Sequence, residues 1–478
     1  MAPRQAGVLL HLTSLPNEEG QLGCLNHQAW RFLAWMEQAG LQLWQTLPLN
    51  HTHADLSPYS ALSAFALNPA FLPKDWQQEL QFAGYASDFE VFCQQEAAWL
   101  DDYALFIVLR DLQQNRSWLD WPTPLKLRDP SALAEIATQH HARIEHLKQQ
   151  QFVLNRLWQR LKQDAHQRGI TLFGDMPIFV ALDSADVWAH SEQFLLDEQR
   201  QPIWVAGVPP DYFSETGQRW GNPHYDWARM AQEDFAWWQQ RIAKALQQFD
   251  LLRIDHFRGL QACWQIAASE PTAVNGHWQE VPGAALLQTL SERFTPLPLV
   301  AEDLGLITPE VIALKEQFAL PGMAVLQFGF NGLPDNPHAL ASITENSVIY
   351  TGTHDNDTTL GWFEQLDAAE QSAVQQTLAA YWQQNPVAGA LCQSVPCTIP
   401  WSLIVAAFSS PAQRVLIPMQ DFLGLDGAHR MNVPGVAQGN WRWQMNWDTL
   451  PASLAPQIAQ LVEGSRRQPK PIPHGGSR

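Results

Sequence analysis

Residues 251–259, with the sequence LLRIDHFRG, join an apolar run to a cluster of titratable side chains at Arg253, Asp255, His256 and Arg258. Charged side chains are rarely buried unless they are paired or take part in chemistry. Arg253 and Asp255 are two residues apart, so on a strand they face the same side, and the guanidinium favours the ionised form of the carboxylate. Asp255 is therefore a candidate nucleophile, whereas we expect His256 and Arg258 to have supporting or packing roles.

Other apolar runs in the chain also end in acidic residues. Asp175 follows ITLFG, the adjacent Glu302 and Asp303 follow PLVA, and Asp355 ends SVIYTGTHD. Each acid taken alone is most simply read as a helix cap or an ion-pair partner, but four strand ends that share the feature indicate a common site. Glu302 and Asp303 point to opposite sides because they are adjacent, and the residues alone leave open which of them faces a cleft.

Several carboxylates in one cleft, without other catalytic signals, indicate glycosyl transfer. That chemistry needs an ionised carboxylate as nucleophile and a protonated carboxyl as general acid. The chain has no G-x-S-x-G nucleophile motif, no G-x-x-x-x-G-K phosphate loop and no H-E-x-x-H metal motif. It has 22 tryptophans, whose rings pack in cores and also stack on the faces of sugars. We therefore expect a sugar substrate and no metal or other cofactor.

The elements that must position these acids are short apolar runs with helical patterns between them. Such runs are typical of strands buried on both faces of a parallel sheet. Their alternation with helices predicts an α/β fold of the (β/α)8 TIM-barrel type, in which chemistry takes place at the C-terminal ends of the strands. The eight runs span residues 7–14, 41–48, 170–175, 250–256, 298–303, 323–329, 347–355 and 414–421.

The 478 residues exceed the roughly 250 of a plain barrel. The surplus lies in a largely helical region at about 54–168 and a loop region at about 180–240 that is rich in Pro, Gly and aromatic residues. Asp129-Pro130 predicts a helix start within the first region, and Gly169 predicts the helix end just before a strand. We expect residues 1–478 to form one elaborated catalytic domain, with the tail KPIPHGGSR disordered.

Charge and cysteine content limit the partners and the location. The net charge is -19, which argues against nucleic acid or an anionic membrane surface as a partner. No apolar run approaches the length of a membrane span, and MAPRQAGVLLHLTSLP makes a poor signal peptide. The five scattered cysteines, without a C-x-x-C pair, predict reduced thiols in a cytoplasmic protein. The sequence does not predict the oligomeric state.

Long ordered motifs make the resemblance to one family specific. The chain resembles glycoside hydrolase family 77, the 4-alpha-glucanotransferases known as amylomaltases or disproportionating enzymes, over nearly its whole length. The motifs are AGVLLHLTSLP, SPYSALSAFALNP, GDMPIFVALDSADVWA, GVPPDYFSETGQRWGNP, LRIDHFRG, AEDLG, YTGTHDNDTTLGW, RMNVPG and GNWRW.

The resemblance implies roles for individual residues. Asp255 in LRIDHFRG is implied as the nucleophile, Glu302 in AEDLG as the general acid/base, and Asp355 in THDN as the group that stabilises the transition state. The loop VPPDYFSETGQRWGNPHYDW is expected to cover the acceptor side of the cleft. The residues implied to bind sugar are Ser57, Tyr59, Asp175, Gln218, Trp220, Arg253 and His354.

The implied reaction moves a segment of an α-1,4-glucan, such as a maltodextrin, to the 4-hydroxyl of glucose or of another glucan, with retention of configuration. The chain departs from the family pattern at SLPNEEGQLGCLN, at LPLNHTHADLSPYS and at Val433 and Val436, which leaves chain-length and acceptor preference open. Three alternatives also remain at this point. They are an α-amylase-like hydrolase, a glucan-binding protein without turnover, and a barrel enzyme with another substrate.

Overall fold

A computed structural model describes residues 4–18, 20–210, 214–436 and 438–467. The tail KPIPHGGSR lies outside the described residues. The strands, in chain order, are β1 (Gln5–Leu9), β2 (Leu43–Gln45), β3 (Thr171–Pro177), β4 (Trp204–Val208), β5 (Gln218–Pro223), β6 (Leu251–Asp255), β7 (Ala262–Ala267), β8 (Gly276–Glu280), β9 (Leu299–Ala301), β10 (Gly322–Val325), β11 (Ser347–Tyr350) and β12 (Arg414–Pro418).

Eight of these strands form one parallel sheet in the order β10-β11-β12-β1-β2-β3-β6-β9. The two ends of the sheet meet where the Ala301 N–H donates to the Pro321 carbonyl at 2.9 Å, just before β10. The sheet therefore closes into the predicted (β/α)8 barrel, and each of the eight predicted strands is confirmed as a strand of this barrel.

Side-chain alternation along the strands separates the barrel interior from the surrounding helices. On β6, Leu251 belongs to the apolar cluster inside the barrel, whereas Leu252 and Ile254 belong to the core beneath the helices. Arg253 and Asp255 lie two and four residues after Leu251, so their side chains also face the inside of the barrel. The interior cluster is Leu43, Phe173, Leu251, Val300, Met323, Val325, Val348, Tyr350 and Leu416.

The helices surround the barrel and build the first insertion. They are α1 (His27–Gln38), α2 (Tyr85–Gln95), α3 (Ala97–Leu112), α4 (Thr123–Lys126), α5 (Pro130–Gln139), α6 (His141–Gln167), α7 (Ala185–Ala189), α8 (Trp227–Gln232), α9 (Ala236–Gln248), α10 (Gly283–Arg293), α11 (Pro309–Gln317), α12 (Thr359–Gln365), α13 (Ala368–Gln384), α14 (Pro386–Leu391), α15 (Trp401–Ser409), α16 (Met419–Phe422) and α17 (Leu454–Gly464).

The predicted helix start at Asp129-Pro130 and the predicted helix end at Gly169 are confirmed. Asp129 caps α5 by accepting hydrogen bonds from the backbone N–H groups of Ser131 and Ala132. Gly169 follows α6 with a φ of 71°, a conformation that glycine adopts without strain. The region 54–168 contains the helices α2 to α6.

The second insertion differs from the prediction of a loop. Residues 180–240 contain β4, β5, α7 and α8, and β4 pairs with β7 in a separate four-stranded antiparallel sheet of order β5-β4-β7-β8. The sequence QRWGNP of β5 lacks the alternation of apolar and polar residues that predicts a strand. It lacks this alternation because Gln218, Arg219 and Trp220 are all exposed on this edge strand. The segment therefore forms a small sheet beside the barrel mouth.

The prediction of five reduced cysteines is wrong for one pair. Cys392 and Cys397 form a disulfide, because the turn after α14 brings their Cα atoms within 5.4 Å. Cys24, Cys93 and Cys263 are free. Within the described part of the chain, no helix is long and apolar enough to cross a membrane.

Candidate active site

The predicted acids meet in a cleft of about 1050 Å³ at the C-terminal ends of the barrel strands. The cleft is lined by Asp255 at the end of β6, by Glu302 just after β9 and by Asp355 beyond β11. These residues are far apart in the sequence and converge only because parallel strands end at the same rim. The predicted binding residues that also line the cleft are Ser57, Tyr59, Gln218, Trp220 and Arg253.

Arg253 links the carboxylates of two neighbouring strands. Its Nη2 lies 2.8 Å from Oδ1 of Asp255, and its Nη1 donates to both carboxylate oxygens of Asp175, at 2.8 and 2.6 Å. Tyr59 completes the network by donating its hydroxyl to Asp175 at 2.7 Å. The Asp175 side chain is fully buried beneath these partners, so it holds Arg253 and Tyr59 in position and does not line the cleft.

The two adjacent acids after β9 point in opposite directions. Glu302 lines the cleft, and its carboxylate accepts backbone hydrogen bonds from His256 at 2.7 Å and Leu304 at 3.0 Å. Asp303 pairs with Lys315 at 2.6 Å and accepts the N–H of Met323 at 2.7 Å. Asp303 therefore ties the barrel to α11, and Glu302 is the acid that faces the cleft.

Asp355 is held in place by residues from the loop that follows β12. Asn432 donates to its Oδ1 at 2.6 Å, and Arg430 donates to its backbone carbonyl at 2.9 Å. His354 lies 3.4 Å from Asp355 Oδ2 but does not line the cleft itself. Its ring stacks on Tyr59 with centroids 5.2 Å apart, so it supports that ring from behind.

Gln218 and Trp220 lie on β5, at the edge of the small sheet. The Trp220 indole N–H donates to the Gln218 side chain at 3.0 Å, and its ring meets His256 edge-on at 4.9 Å. Trp220 is 39% exposed and lines the cleft, which gives it a sugar-accessible surface. Residues 211–213 of the predicted covering loop lie outside the described residues.

Two cleft residues, Asn432 and Trp441, and the neighbouring Arg430, which binds the Asp355 carbonyl, were assigned no role from the sequence. Asn432 and Trp441 line the cleft, and the Trp441 ring lies 6.0 Å from both Tyr59 and His354. Their only signal was membership of RMNVPG and GNWRW, which follow the last strand and carry no acid. The loop that holds them reaches back across the barrel mouth to Asp355.

Burial raises the pKa of Asp255 to about 8, with Asp175, Glu302 and Asp355 adding to the increase and Arg253 opposing it. About 30% of the Asp255 side chain is exposed, and that surface faces the cleft that the other acids line. Arg253 lowers the pKa of Asp255, as expected, but burial raises this pKa by more. Burial also raises the pKa of Glu302, against the two backbone hydrogen bonds and Arg253. The two coupled carboxyl groups therefore hold one proton between them above the usual range, and the reaction requires that Glu302 carries it while Asp255, paired with Arg253, is ionised.

The raised pKa of Asp255 predicts a cost to stability at neutral pH. Between pH about 4 and about 8 the folded state holds a proton that the unfolded state has released, so stability falls as pH rises through this window. We expect Asp255→Asn to remove part of this slope and to have a Tm advantage over the wild type that grows from pH 4 to pH 8. Thermal melts across this range measure the difference, and a constant offset between the two proteins would contradict the expectation.

The arrangement suits proton transfer and nucleophilic attack by carboxylates. Among the described residues, no group of three or more His, Cys, Asp or Glu side chains could hold a metal ion. The cleft offers an arginine-paired carboxylate on β6, a buried carboxyl on the next strand, and aromatic rings at Tyr59 and Trp220. Glycosyl transfer by double displacement needs two carboxyl groups of this kind.

Comparison with known proteins identifies the family. A family model described as 4-alpha-glucanotransferase, glycoside hydrolase family 77, matches residues 10–84 and 74–450. A 4-alpha-glucanotransferase of Thermus thermophilus is 42% identical, covering 97% of this chain and 99% of the relative. Another, from Synechocystis, is 40% identical over 96% of this chain and 97% of the relative.

A solved structure supports the same assignment. Amylomaltase from Streptococcus agalactiae in complex with acarbose superposes with a TM-score of 0.90 at 30% identity, covering 98% of this chain and all of the other. Fold, site geometry and sequence therefore agree, and the chain belongs to the 4-alpha-glucanotransferases of glycoside hydrolase family 77.

Proposed function

We propose that this 4-alpha-glucanotransferase takes a maltodextrin as donor and the 4-hydroxyl of glucose or of another glucan as acceptor. The observation that carries the proposal is the placement of arginine-paired Asp255 and of Glu302 in one cleft with Asp355. The cleft has a volume of about 1050 Å³ and is lined by aromatic rings, which suits a chain of sugars.

In the first step, Asp255 attacks the anomeric carbon of the donor. The C1–O4 bond breaks, the leaving oxygen takes a proton from Glu302, and a covalent β-linked glycosyl-enzyme forms. Arg253 orients the attacking carboxylate through its 2.8 Å contact with Asp255. Its other contacts, to Asp175, keep the guanidinium in place when Asp255 loses its charge.

In the second step, the acceptor replaces the leaving group. Glu302, now ionised, takes the proton of the acceptor 4-hydroxyl, and the oxygen attacks C1 and displaces Asp255. Two inversions restore the α configuration. The backbone N–H groups of His256 and Leu304 hold the Glu302 carboxylate at the same position in both steps.

Asp355 is proposed to bind the hydroxyl groups of the sugar that reacts. Asn432 and Arg430 fix it at the wall of the cleft, so its carboxylate is oriented before substrate enters. The hydrogen bonds strengthen as the ring flattens toward the transition state, which stabilises that state more than the ground state. Tyr59 is proposed to stack on the same sugar, with His354 behind it and Ser57 close by.

Transfer also requires that water does not replace the acceptor. Gln218 and Trp220 are proposed to cover the cleft from the edge of the small sheet, where Trp220 rests against His256. His256 in turn donates its backbone N–H to Glu302, so the cover is linked to the general acid. An acceptor sugar under this cover excludes water from the intermediate.

The proposal includes two properties of the whole chain. Residues 1–478 form one catalytic domain, which is supported by the continuous apolar core that joins insertion helix α6 to the barrel strands. The enzyme is proposed to act in the cytoplasm, where Cys24, Cys93 and Cys263 would stay free and the Cys392–Cys397 disulfide would be open to reduction. Limited proteolysis and cell fractionation test these two properties.

Incubation with pure maltotriose tests the proposed substrate and reaction. We expect glucose and a ladder of longer maltodextrins, with a constant number of reducing ends, because each transfer forms one glycosidic bond for each bond broken. Resolving the products by length and counting reducing ends measures both. Glucose and maltose alone, with rising reducing ends, would establish hydrolysis instead, and unchanged maltotriose with measurable binding would indicate a protein without turnover.

A further inference from the structure

Arg258 is a buried cation on the wall of the cleft with few partners. It is only 8% exposed, and its Nε and Nη1 have no hydrogen-bond partner among the described residues. Glu310 on α11 contributes an attractive charge but forms no ion pair with it, and burial lowers the Arg258 pKa. A buried guanidinium without hydrogen bonds is costly. Nε and Nη1 are fully buried, so Nη2 is the donor through which Arg258 can reach a ligand oxygen in the cleft.

Trp278 on β8 lies directly against this guanidinium. The Arg258 Cζ is 3.8 Å from the centroid of the Trp278 ring, and Trp264 packs against the same ring edge-on at 5.2 Å. Trp278 is nevertheless 37% exposed and lines the same cleft as Asp255 and Glu302. A large ring held by two neighbours and open to a sugar cleft is a suitable surface for stacking.

Chain connectivity places Arg258, and with it Trp278, near the general acid Glu302. Glu302 delivers its proton to the leaving oxygen, so the sugars beyond Glu302 belong to the leaving group and later to the acceptor. His256, whose N–H holds Glu302, is two residues from Arg258. Leu304 and the strongly exposed Leu306 follow Glu302 in the chain and also line the cleft.

We propose that Arg258 and Trp278 form a sugar-binding subsite for the acceptor. Trp278 stacks on the face of an acceptor glucose unit, and Arg258 donates a hydrogen bond to one of its hydroxyl groups. The subsite favours transfer over hydrolysis, because it holds an acceptor sugar where water would otherwise attack. This inference rests on the proposed function and specifies which residues select the acceptor.

The test measures acceptor and donor separately. Maltoheptaose is the donor at a fixed concentration, ¹³C-labelled glucose is the acceptor, and label incorporation measures transfer while new reducing ends measure hydrolysis. We expect Trp278→Ala and Arg258→Gln each to raise the KM for glucose about tenfold, the equivalent of one lost contact of about 1.4 kcal/mol, with a larger share of hydrolysis. Trp278→Phe keeps an aromatic face and is expected to restore most of the acceptor affinity.

A matched control separates this effect from damage to the small sheet. Trp204 on β4 packs against His277, the neighbour of Trp278, and therefore lies on the opposite face of the sheet, outside the cleft. We expect Trp204→Ala to leave the KM for glucose unchanged. If Trp278→Ala does not fold, as judged by its Tm, Trp278→Leu removes the aromatic ring while keeping much of its volume.

The possible results separate this inference from the proposed function. An unchanged KM for glucose in folded Trp278 and Arg258 variants would overturn the subsite, and so would an equal rise in the KM for donor and acceptor. A fall in kcat alone would assign the pair a supporting role behind His256 and Glu302. If the wild-type protein itself transfers no label, the proposed function fails, whatever the variants do.

Discussion

Replacing Asp255 by alanine is expected to lower kcat with maltotriose by on the order of 10⁴-fold or more, because no covalent intermediate can form without the nucleophile. The fold is expected to survive, since Arg253 keeps both of its hydrogen bonds to Asp175. Product formation over time measures the loss, and the Tm confirms folding. Retention of a tenth of the activity by a folded variant would exclude Asp255 as the nucleophile.

A small anion can identify the face that Asp255 leaves vacant. With α-maltosyl fluoride as donor, azide can enter the space of the missing carboxylate, form a C1–N bond and displace fluoride in one inversion. We expect Asp255→Ala to make β-maltosyl azide and the wild type to make none. An α-linked azide from this variant would mean that another group still forms the intermediate.

The barrel was predictable because its signal lies within short segments. A run such as LLRID can be recognised as a buried strand from its own residues. Leu251 and Arg253 face the inside of the barrel, and Leu252 and Ile254 face the helices. The parallel barrel follows when eight such runs alternate with helices. The small sheet was missed because β5 is an exposed edge strand, whose pairing with β4 is decided by contacts distant in sequence.

The site was predictable in its residue types but only partly in its geometry. Acids at strand ends indicated the cleft, and family resemblance favoured Glu302 where the residues alone left Asp303 open. Asp303 points away from the cleft because it pairs with Lys315, a residue twelve positions later on α11. This contact could not be read from the strand sequence. Asp175 was expected to contact the sugar because it ends a strand. It is instead fully buried and binds the hydroxyl of Tyr59, a residue 116 positions away in the sequence.

Replacing Glu302 by alanine is expected to lower kcat with maltotriose by about 10²- to 10⁴-fold, the usual contribution of general acid–base catalysis. The sugar leaving group then departs without a proton, and the acceptor attacks without a base. Asp303→Asn is the matched control. It is expected to keep most of the activity while lowering the Tm, because Asp303 pairs with Lys315 away from the cleft. A larger loss of activity in Asp303→Asn than in Glu302→Ala would reverse the assignment.

The same azide experiment distinguishes the acid/base from the nucleophile. Fluoride leaves without a proton, so Asp255 can still form the intermediate in Glu302→Ala, and azide needs no base to attack it. Azide then enters from the α face and releases Asp255, so the product is α-maltosyl azide, opposite in configuration to that of Asp255→Ala. Rescue with this stereochemistry assigns the two carboxyl groups independently of any rate, because each variant retains the group that the other lacks. A β product from Glu302→Ala would show that Asp255 was bypassed, and the double displacement would have to be abandoned.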